Sequence, residues 1–444
     1  MTSFDRVIIG GGLAGLLAGR RATARGEATV ILEANDYFGG AICKAQLAGL
    51  VLDSGAEAIS TVNPEIFKAL TELGIQEQDL ARPEPAPAWI VGPTQRFQIP
   101  RGYLGIPADL DDPELRSIFT AEEIAEAKRR DSVEFLDHST VSELITVRLG
   151  EAFLNKLIGP VFSGVFGSSP EMLECKSAIP SLISEAKKQQ SLVRAVSDLA
   201  VKDRPGSNVI GIEGGLVRLI DHLVADLTSK GVLLVGSTSV VEVIRSTEAF
   251  EVITDSQSFR SSSITVAGGV GFLRTGALKL LDIESAVSNL PSTLSHVVQV
   301  YVRSRQLSHM PLGPGALVQI GSGILAKATT HSNSKWAWLR SALPKDEHLI
   351  RLSYDPASAN PETFSNQDLA SEICKLFEVN DIDILDKKIT RWTDVLNQSS
   401  NGALTQLRSL ATKLESPELE FCGGVFSGSS VAAILLDHQK RKAA

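Results

Sequence analysis

Six consecutive residues, Gly10-Gly11-Gly12-Leu13-Ala14-Gly15, form a GxGxxG turn with glycine at 10, 12 and 15. That spacing handles phosphate. One glycine permits a tight turn, one lets a pyrophosphate approach the backbone, and one lets helix pack closely on strand. Glu33 closes the apolar run Thr29-Val30-Ile31-Leu32, where a carboxylate can accept hydrogen bonds from both ribose hydroxyls. Three further glycine turns could carry backbone close to a ligand: Gly39-Gly40, Ser54-Gly55-Ala56-Glu57 and Cys422-Gly423-Gly424. The last feeds a helix N-terminus, a second anion site. The seven histidines contain no HxH or HxxxH pair, and Cys43, Cys175, Cys374 and Cys422 form no CxxC pair. No metal centre and no disulfide framework are expected, and a reducing compartment fits best.

The elements that must hold these turns are legible around them. Val7-Ile8-Ile9 reads as a parallel strand covered on both faces. A helix from about Leu13 to Arg25 aims its N-terminal amides at the phosphates, and Gly26 stops it. Strand, turn, helix, strand and terminal acid in this order specify a dinucleotide-binding unit, without separating FAD from NAD. The proline-rich stretch from Pro83 to Pro113 marks a boundary. Beyond it, Thr120 with Glu123 and Thr140 with Glu143 read as capping boxes, and Ser169-Pro170 as an N-cap with proline at the first helical position. Residues 110–200 are therefore expected to be an all-helical insertion. Strands near 232–236, 239–246, 249–254 and 263–267 are expected to form a meander. After Gly424 a helix is expected to run through Ile434.

The fold class that follows is α/β: a Rossmann-like domain with a doubly wound sheet plus β-meander, a mixed α+β substrate domain and an all-helical insertion. Its expected segments are 1–85, 204–275 and 406–444 for the dinucleotide domain, 86–110 and 276–405 for the substrate domain, and 111–203 for the helices. With 444 residues, several cores are needed. A net charge of −9 and no basic run argue against nucleic acid as a partner. The start lacks a signal-peptide pattern, and no run approaches the ~20 apolar residues of a membrane span, so a soluble cytoplasmic chain is expected.

Past Glu33 the order E-x5-GG, then Gly49 to Asp53 and Gly55, resembles the start of the amine oxidase and protoporphyrinogen oxidase superfamily. The middle of the chain narrows this. Thr140-Val141-Ser142-Glu143-Leu144, Arg148-Leu149-Gly150, Ile158-Gly159-Pro160-Val161, Gly164-Val165-Phe166-Gly167, Leu173, Ala178 and Pro180 resemble the helical block of the protoporphyrinogen/coproporphyrinogen oxidase family. Thr330-His331-Ser332-Asn333-Ser334-Lys335-Trp336 and Arg391-Trp392 are similar to segments of its Gram-positive members. The resemblance implies FAD as cofactor. It assigns contact with FAD to Gly10, Gly11, Gly12, Leu13, Ala14, Gly15, Glu33, Ala34, Gly39, Gly40, Ala41, Gly55, Ala56, Glu57, Val241, Gly423, Gly424 and Val431. The turn at Gly55–Glu57 is expected beside the isoalloxazine ring.

The implied reaction is six-electron oxidation of coproporphyrinogen III by O2, giving coproporphyrin III and hydrogen peroxide, in haem biosynthesis. No catalytic base is assigned. Arg101 and Lys335 are expected to meet substrate carboxylates by type and position. Handover of product to a ferrochelatase is the implied partner event, peripheral membrane contact by the helical block stays open, and the oligomeric state is not specified. The chain departs from the family pattern in three places. Leu396-Asn397-Gln398-Ser399-Ser400-Asn401-Gly402-Ala403 replaces L-P-Q-Y-x-x-G-H, Gly428-Ser429-Ser430-Val431-Ala432 replaces G-x-G-I-P, and Ala41 replaces a basic residue. The alternatives are protoporphyrinogen IX oxidation, another amine oxidase-type reaction, and a catalytically weak homologue that binds FAD or a porphyrin.

Overall fold

The apolar run Val7-Ile8-Ile9 is the inner end of a longer strand, Thr2–Ile9, whose outer residues reach solvent. The computed structural model describes residues 2–199, 208–395 and 402–443. Thr2–Ile9 pairs in parallel with Thr29–Leu32 on one side and with Ser258–Val266 on the other. Being central, it is covered on both faces, which is why its last three residues are apolar and why Arg6, buried just before them, is paired with Glu27 at 2.6 Å.

The strand Ser258–Val266 serves two neighbours along its other edge. Its first half pairs antiparallel with Phe250–Thr254, which continues to Val240–Arg245; its last residues pair in parallel with Leu419–Phe421. The meander therefore has three strands rather than the four expected from sequence. Leu233–Val235 lies at the opposite edge of the sheet, parallel to Thr29–Leu32. The cause is the preceding helix, Val217–Ser229. Its Leu219, Leu223 and Leu227 face packs in one core with Leu16 and Leu17 of the helix Leu13–Ala24, delivering the next strand to that edge.

A second sheet of seven strands runs in the order Asp383–Thr393, Leu294–Arg303, Glu347–Tyr354, Ala328–His331, Gly315–Val318, Trp89–Val91, Arg96–Gln98. Its neighbours are antiparallel except where Gly315–Val318 meets Trp89–Val91 in parallel. The helix Asn366–Phe377, opened by a Ser365–Asp368 capping box, covers it through Leu369, Ile373, Leu376 and Phe377. The two sheets and the helices between Pro113 and Leu199 make this a mixed α/β protein.

In the helical block a buried ion pair sits at the centre. Arg148 donates to the Asp131 carboxylate at 3.1 Å and to the carbonyls of Asp131, Val133, Glu134 and Gln190. Asp131 in turn accepts from Leu192 N and Val193 N at the start of the helix Leu192–Leu199. Thr120 and Glu123 make the reciprocal capping box. Thr140 makes half of one: its hydroxyl accepts from Glu143 N, but the Glu143 carboxylate turns to Ser139 N. Ser169 precedes a single 3-10 turn, Pro170–Met172, with no side-chain cap. At the C-terminus the expected helix is two elements, Gly424–Ser427 and Val431–Ala443, broken at Gly428, whose φ of +111° no helix accepts. Among the described residues no helix is long and apolar enough to cross a membrane.

Candidate active site

The helix Leu13–Ala24 begins without a side-chain cap at Gly12 and without an acid in its first turn. Its free amides and dipole form a positive, unneutralised end. The backbone closes around it. Gly39 N donates to Gly11 O at 2.9 Å, and Gly12 and Gly39 form a bridge. Gly10, at φ +108°, lies so close to Ala267 and Gly268 that a Cβ would come within 2.9 Å of Ala267 O. Gly423 approaches the same place, a Cβ there being 3.5 Å from that of Ala14. Val431 opens the last helix behind it.

Glu33 is buried. Its carboxylate accepts from Gly11 N at 2.7 Å and from Asn35 N and Nδ2 at 2.9 and 2.7 Å, with exposed Ala34 between. Thr238 N donates to Glu33 O, which ties the start of the meander to this acid. Val241 follows at a register shift in the strand pair, exposed and outside the ladder. Gly10 to Gly15, Glu33, Ala34, Gly39, Gly40, Val241, Gly423, Gly424 and Val431 thus come from four segments to one end of the first sheet. A glycine cradle, an uncapped helix end and an acid could together hold a dinucleotide.

The second group, Ala41, Gly55, Ala56 and Glu57, lines a cavity. The turn carrying it leaves the hairpin Lys44–Leu47/Leu50–Asp53 and is fixed from every side. Ala56 N donates to Ala41 O at 2.9 Å, Arg351 donates to Asp53 O at 3.1 Å and to Gly55 O, and Gln299 Nε2 donates to Asp53 O at 3.2 Å. The Asp53 carboxylate accepts from Leu216 N and Val217 N at 2.7 and 3.0 Å, so it caps the helix Val217–Ser229. Burial pushes its carboxyl up to about 6, against the pull of those two amides.

The cavity encloses about 1270 Å³ between this turn, the second sheet and the helix Gly159–Phe166. Drug-sized ligands occupy roughly 300–1,000 Å³, so there is room for a large ring system beside a cofactor ring. Its walls include Val161, Phe166, Val297, Leu317 and Trp392. The family-like run Gly164-Val165-Phe166-Gly167 explains itself here. Gly164 has no side chain because Leu317 fills that space.

Of the two cations expected to meet substrate carboxylates, one lies in the cavity. Lys335 lines it, but its Nζ donates to Glu57 Oε1 at 2.6 Å. Arg101 is exposed at the start of the small hairpin Gly102–Tyr103/Ile106–Pro107 and is not part of the wall. Residue type had suggested it, and the hairpin carries it to solvent. Sequence reading missed Arg82, Lys327 and Arg351, which do line the cavity. A signal existed for Arg351: it is a lone charge inside the apolar strand run Leu349-Ile350-Arg351-Leu352. Lys327 bonds Asp355 and Gly167 O, joining the second sheet to the helical block.

Residues 13–379 match the family model described as flavin containing amine oxidoreductase. The chain belongs to that family. It is an FAD-containing oxidoreductase, and the glycine cradle suits the cofactor. Coproporphyrinogen III oxidase of Mycobacterium leprae is 27% identical over 98% of this chain and 96% of its own. The enzyme of the same name from Bacillus subtilis is 22% identical over 96% of this chain and 94% of its own. Among solved structures, a protein from Exiguobacterium sp. 255-15 provisionally named a protoporphyrinogen oxidase superposes with TM-score 0.82 at 20% identity, covering 100% of this chain and 98% of that one. Cyclohexylamine oxidase from Brevibacterium oxydans gives 0.69 at 16% identity, covering 99% and 98%. These flavin oxidases share the fold.

Proposed function

We propose that this flavoprotein oxidises coproporphyrinogen III to coproporphyrin III in the cytoplasm, as a step of haem biosynthesis. The observation that carries the reading is the cavity beside the Gly55–Glu57 turn: large, mostly apolar, and edged by Arg82, Lys327, Lys335 and Arg351. A tetrapyrrole needs an apolar slot for its ring and cations for its propionates. The full-length likeness to coproporphyrinogen III oxidases supports the same substrate.

Gly10–Gly15 with Gly423 and Gly424 would hold the FAD pyrophosphate, Glu33 the ribose, and the exposed backbone around Val241 the adenine. Ala41, Gly55 and Ala56 would pack against the isoalloxazine ring. The bound flavin supplies the two-electron acceptor, and O2 takes those electrons onward as hydrogen peroxide. Residues of the chain bind the macrocycle, shield it from water, and set its bridge carbons beside the Gly55 turn. Ser429 and Ser430, in the segment that departs from the G-x-G-I-P pattern, also line the cavity, so two serines of this chain would border the substrate.

The test is direct. Purified protein loaded with FAD is incubated in air with coproporphyrinogen III and, separately, with protoporphyrinogen IX. Porphyrin fluorescence and peroxide with the first substrate, at the higher kcat/KM, are the expected outcome. Yellow protein inert to both porphyrinogens would overturn the reading.

A further inference from the structure

Glu57 is a carboxylate with a part-buried ion pair on one oxygen and an open second oxygen. Its side chain is 20% exposed and borders the cavity next to the Gly55–Ala56 turn. Lys335 Nζ donates to Oε1 at 2.6 Å. Oε2 takes no hydrogen bond among the described residues, and its ionic contact is Arg351 Nη1 at 3.7 Å. Arg351 spends its donors on Asp53 O and Gly55 O, which fixes the guanidinium without closing off Oε2. Glu84, another carboxylate on the wall, is engaged by Arg340 at 2.8 Å.

We propose that Glu57 Oε2 accepts the proton released by a pyrrole nitrogen when the neighbouring bridge carbon is oxidised. This rests on the porphyrinogen reading above. The balance is as follows. The bridge C–H bond breaks and its electron pair leaves as hydride to the oxidised flavin. The adjoining N–H bond breaks, its electrons remaining to complete the C=N bond, and the proton forms an O–H bond at Oε2. Substrate loses two electrons, the flavin gains two, and Glu57 returns the proton to solvent before the next of three rounds; after the third, the remaining bridge CH2 gives one proton to a bare pyrrole nitrogen, which completes the porphyrin with two N–H groups. Loss of hydride leaves a cation on the macrocycle, and a carboxylate within the cavity stabilises that charge as well as removing the proton.

Lys335 and Arg351 are positioning residues for this step. Burial alone would push the Glu57 carboxyl up, but these two cations outweigh it and hold it below the usual range. The other charges facing the site are Asp53 behind the turn, and Arg82, Glu84 and Lys327 on the wall. Glu57 is therefore ionised at neutral pH and ready to accept.

Anaerobic stopped-flow reduction of the FAD-loaded protein by coproporphyrinogen III tests this with Glu57→Gln, Glu57→Asp and Lys335→Met. Glu57→Gln should still bind FAD yet reduce it about 100-fold more slowly or worse, as for loss of a general base. The fall of the wild-type rate at acid pH should vanish in that variant. Glu57→Asp should keep the acid limb at an intermediate rate, and Lys335→Met should move the limb to higher pH. Infrared pH titration, wild type minus Glu57→Gln, reads the carboxyl without turnover and should show a single carboxylate titrating below the usual glutamate range. Glu57→Gln reducing flavin at the wild-type rate with the same acid limb, or Glu57→Asp lacking that limb, overturns the proposal alone. A wild type that no porphyrinogen reduces overturns the functional reading, and this one falls with it.

Discussion

Trp392 lies on Gly55. The indole Nε1 donates to Ser54 O at 3.3 Å, and a Cβ on Gly55 would come 2.9 Å from the indole ring. On its other side that Cβ would collide with Ala41 O. The glycine is required by contact on both faces, not by a left-handed backbone, since its φ is not positive. One residue thus sets how close the second sheet comes to the Gly55 turn.

Gly55→Ala should therefore destabilise the protein by ~1–3 kcal/mol through overpacking and weaken FAD. Thermal melts with and without added FAD check this: the gap between them should shrink relative to wild type. Trp392→Ala should recover only part of the loss in the double variant, because the Ala41 carbonyl stays in place.

Leu317 fills the place of a side chain at Gly164, and this contact sets the cavity wall between the helix Gly159–Phe166 and the second sheet. Gly164→Ala should raise KM for the porphyrinogen several-fold while leaving the flavin spectrum unchanged. Leu317→Ala should restore KM in the double variant, since it removes the atoms that collide. A KM unmoved by the first substitution would show that the wall yields without cost.

Arg148 was legible only as a family-like position, and the structure makes it a core residue rather than a catalytic one. Arg148→Ala should cost about 3–5 kcal/mol by leaving Asp131 buried without its cation. Replacing both residues should cost less than the sum of the single changes, the mark of a coupled pair. Denaturant unfolding of the three variants supplies that cycle.

These cases show which parts could be read in advance. The glycine cradle, Glu33 and the helix Leu13–Ala24 are local: each depends on neighbours a few positions away, and their chemistry is written in the spacing. The pairing of Glu57 with Lys335 spans 278 positions, and no periodicity in either segment carries it. Arg101 and Lys335 looked alike as isolated cations, and only the topology sends one to solvent and one to the cavity. The strand Leu233–Val235 was misplaced for a related reason. Its residues specify a strand, but its neighbour is chosen by how the helix before it packs. Residues 396–401, where the chain departs most from its resembling family, lie outside the described residues.

Asp53 and the histidine pair His331–His348 give stability opposite slopes with pH. His348 Nε2 faces the Ser304 carbonyl at 3.0 Å and so carries a proton. Its Nδ1 then accepts from His331 Nε2 at 3.0 Å, which leaves both rings neutral and His331 Nδ1 without a partner among the described residues. Burial, then His348, lowers His331 to about 3. The unfolded chain binds a proton there that the folded one refuses. This stability is complete above about 6.5 and is lost as pH falls toward 3, at up to ~1.4 kcal/mol per pH unit. Asp53 runs the other way. Its folded carboxyl titrates near 6 against an ordinary 3.8, so its contribution is complete below that ordinary value and is lost as pH rises through 6. Between about pH 4 and 6 the two offset each other. Denaturant unfolding at several pH values should show His331→Leu flattening the acid loss, the Asn333 amide being already 3.3 Å from His348 Nδ1 to replace the lost donor. Asp53→Asn should steepen that loss by removing the opposing slope. Equal slopes in wild type and both variants would mean that neither group titrates differently in the folded protein.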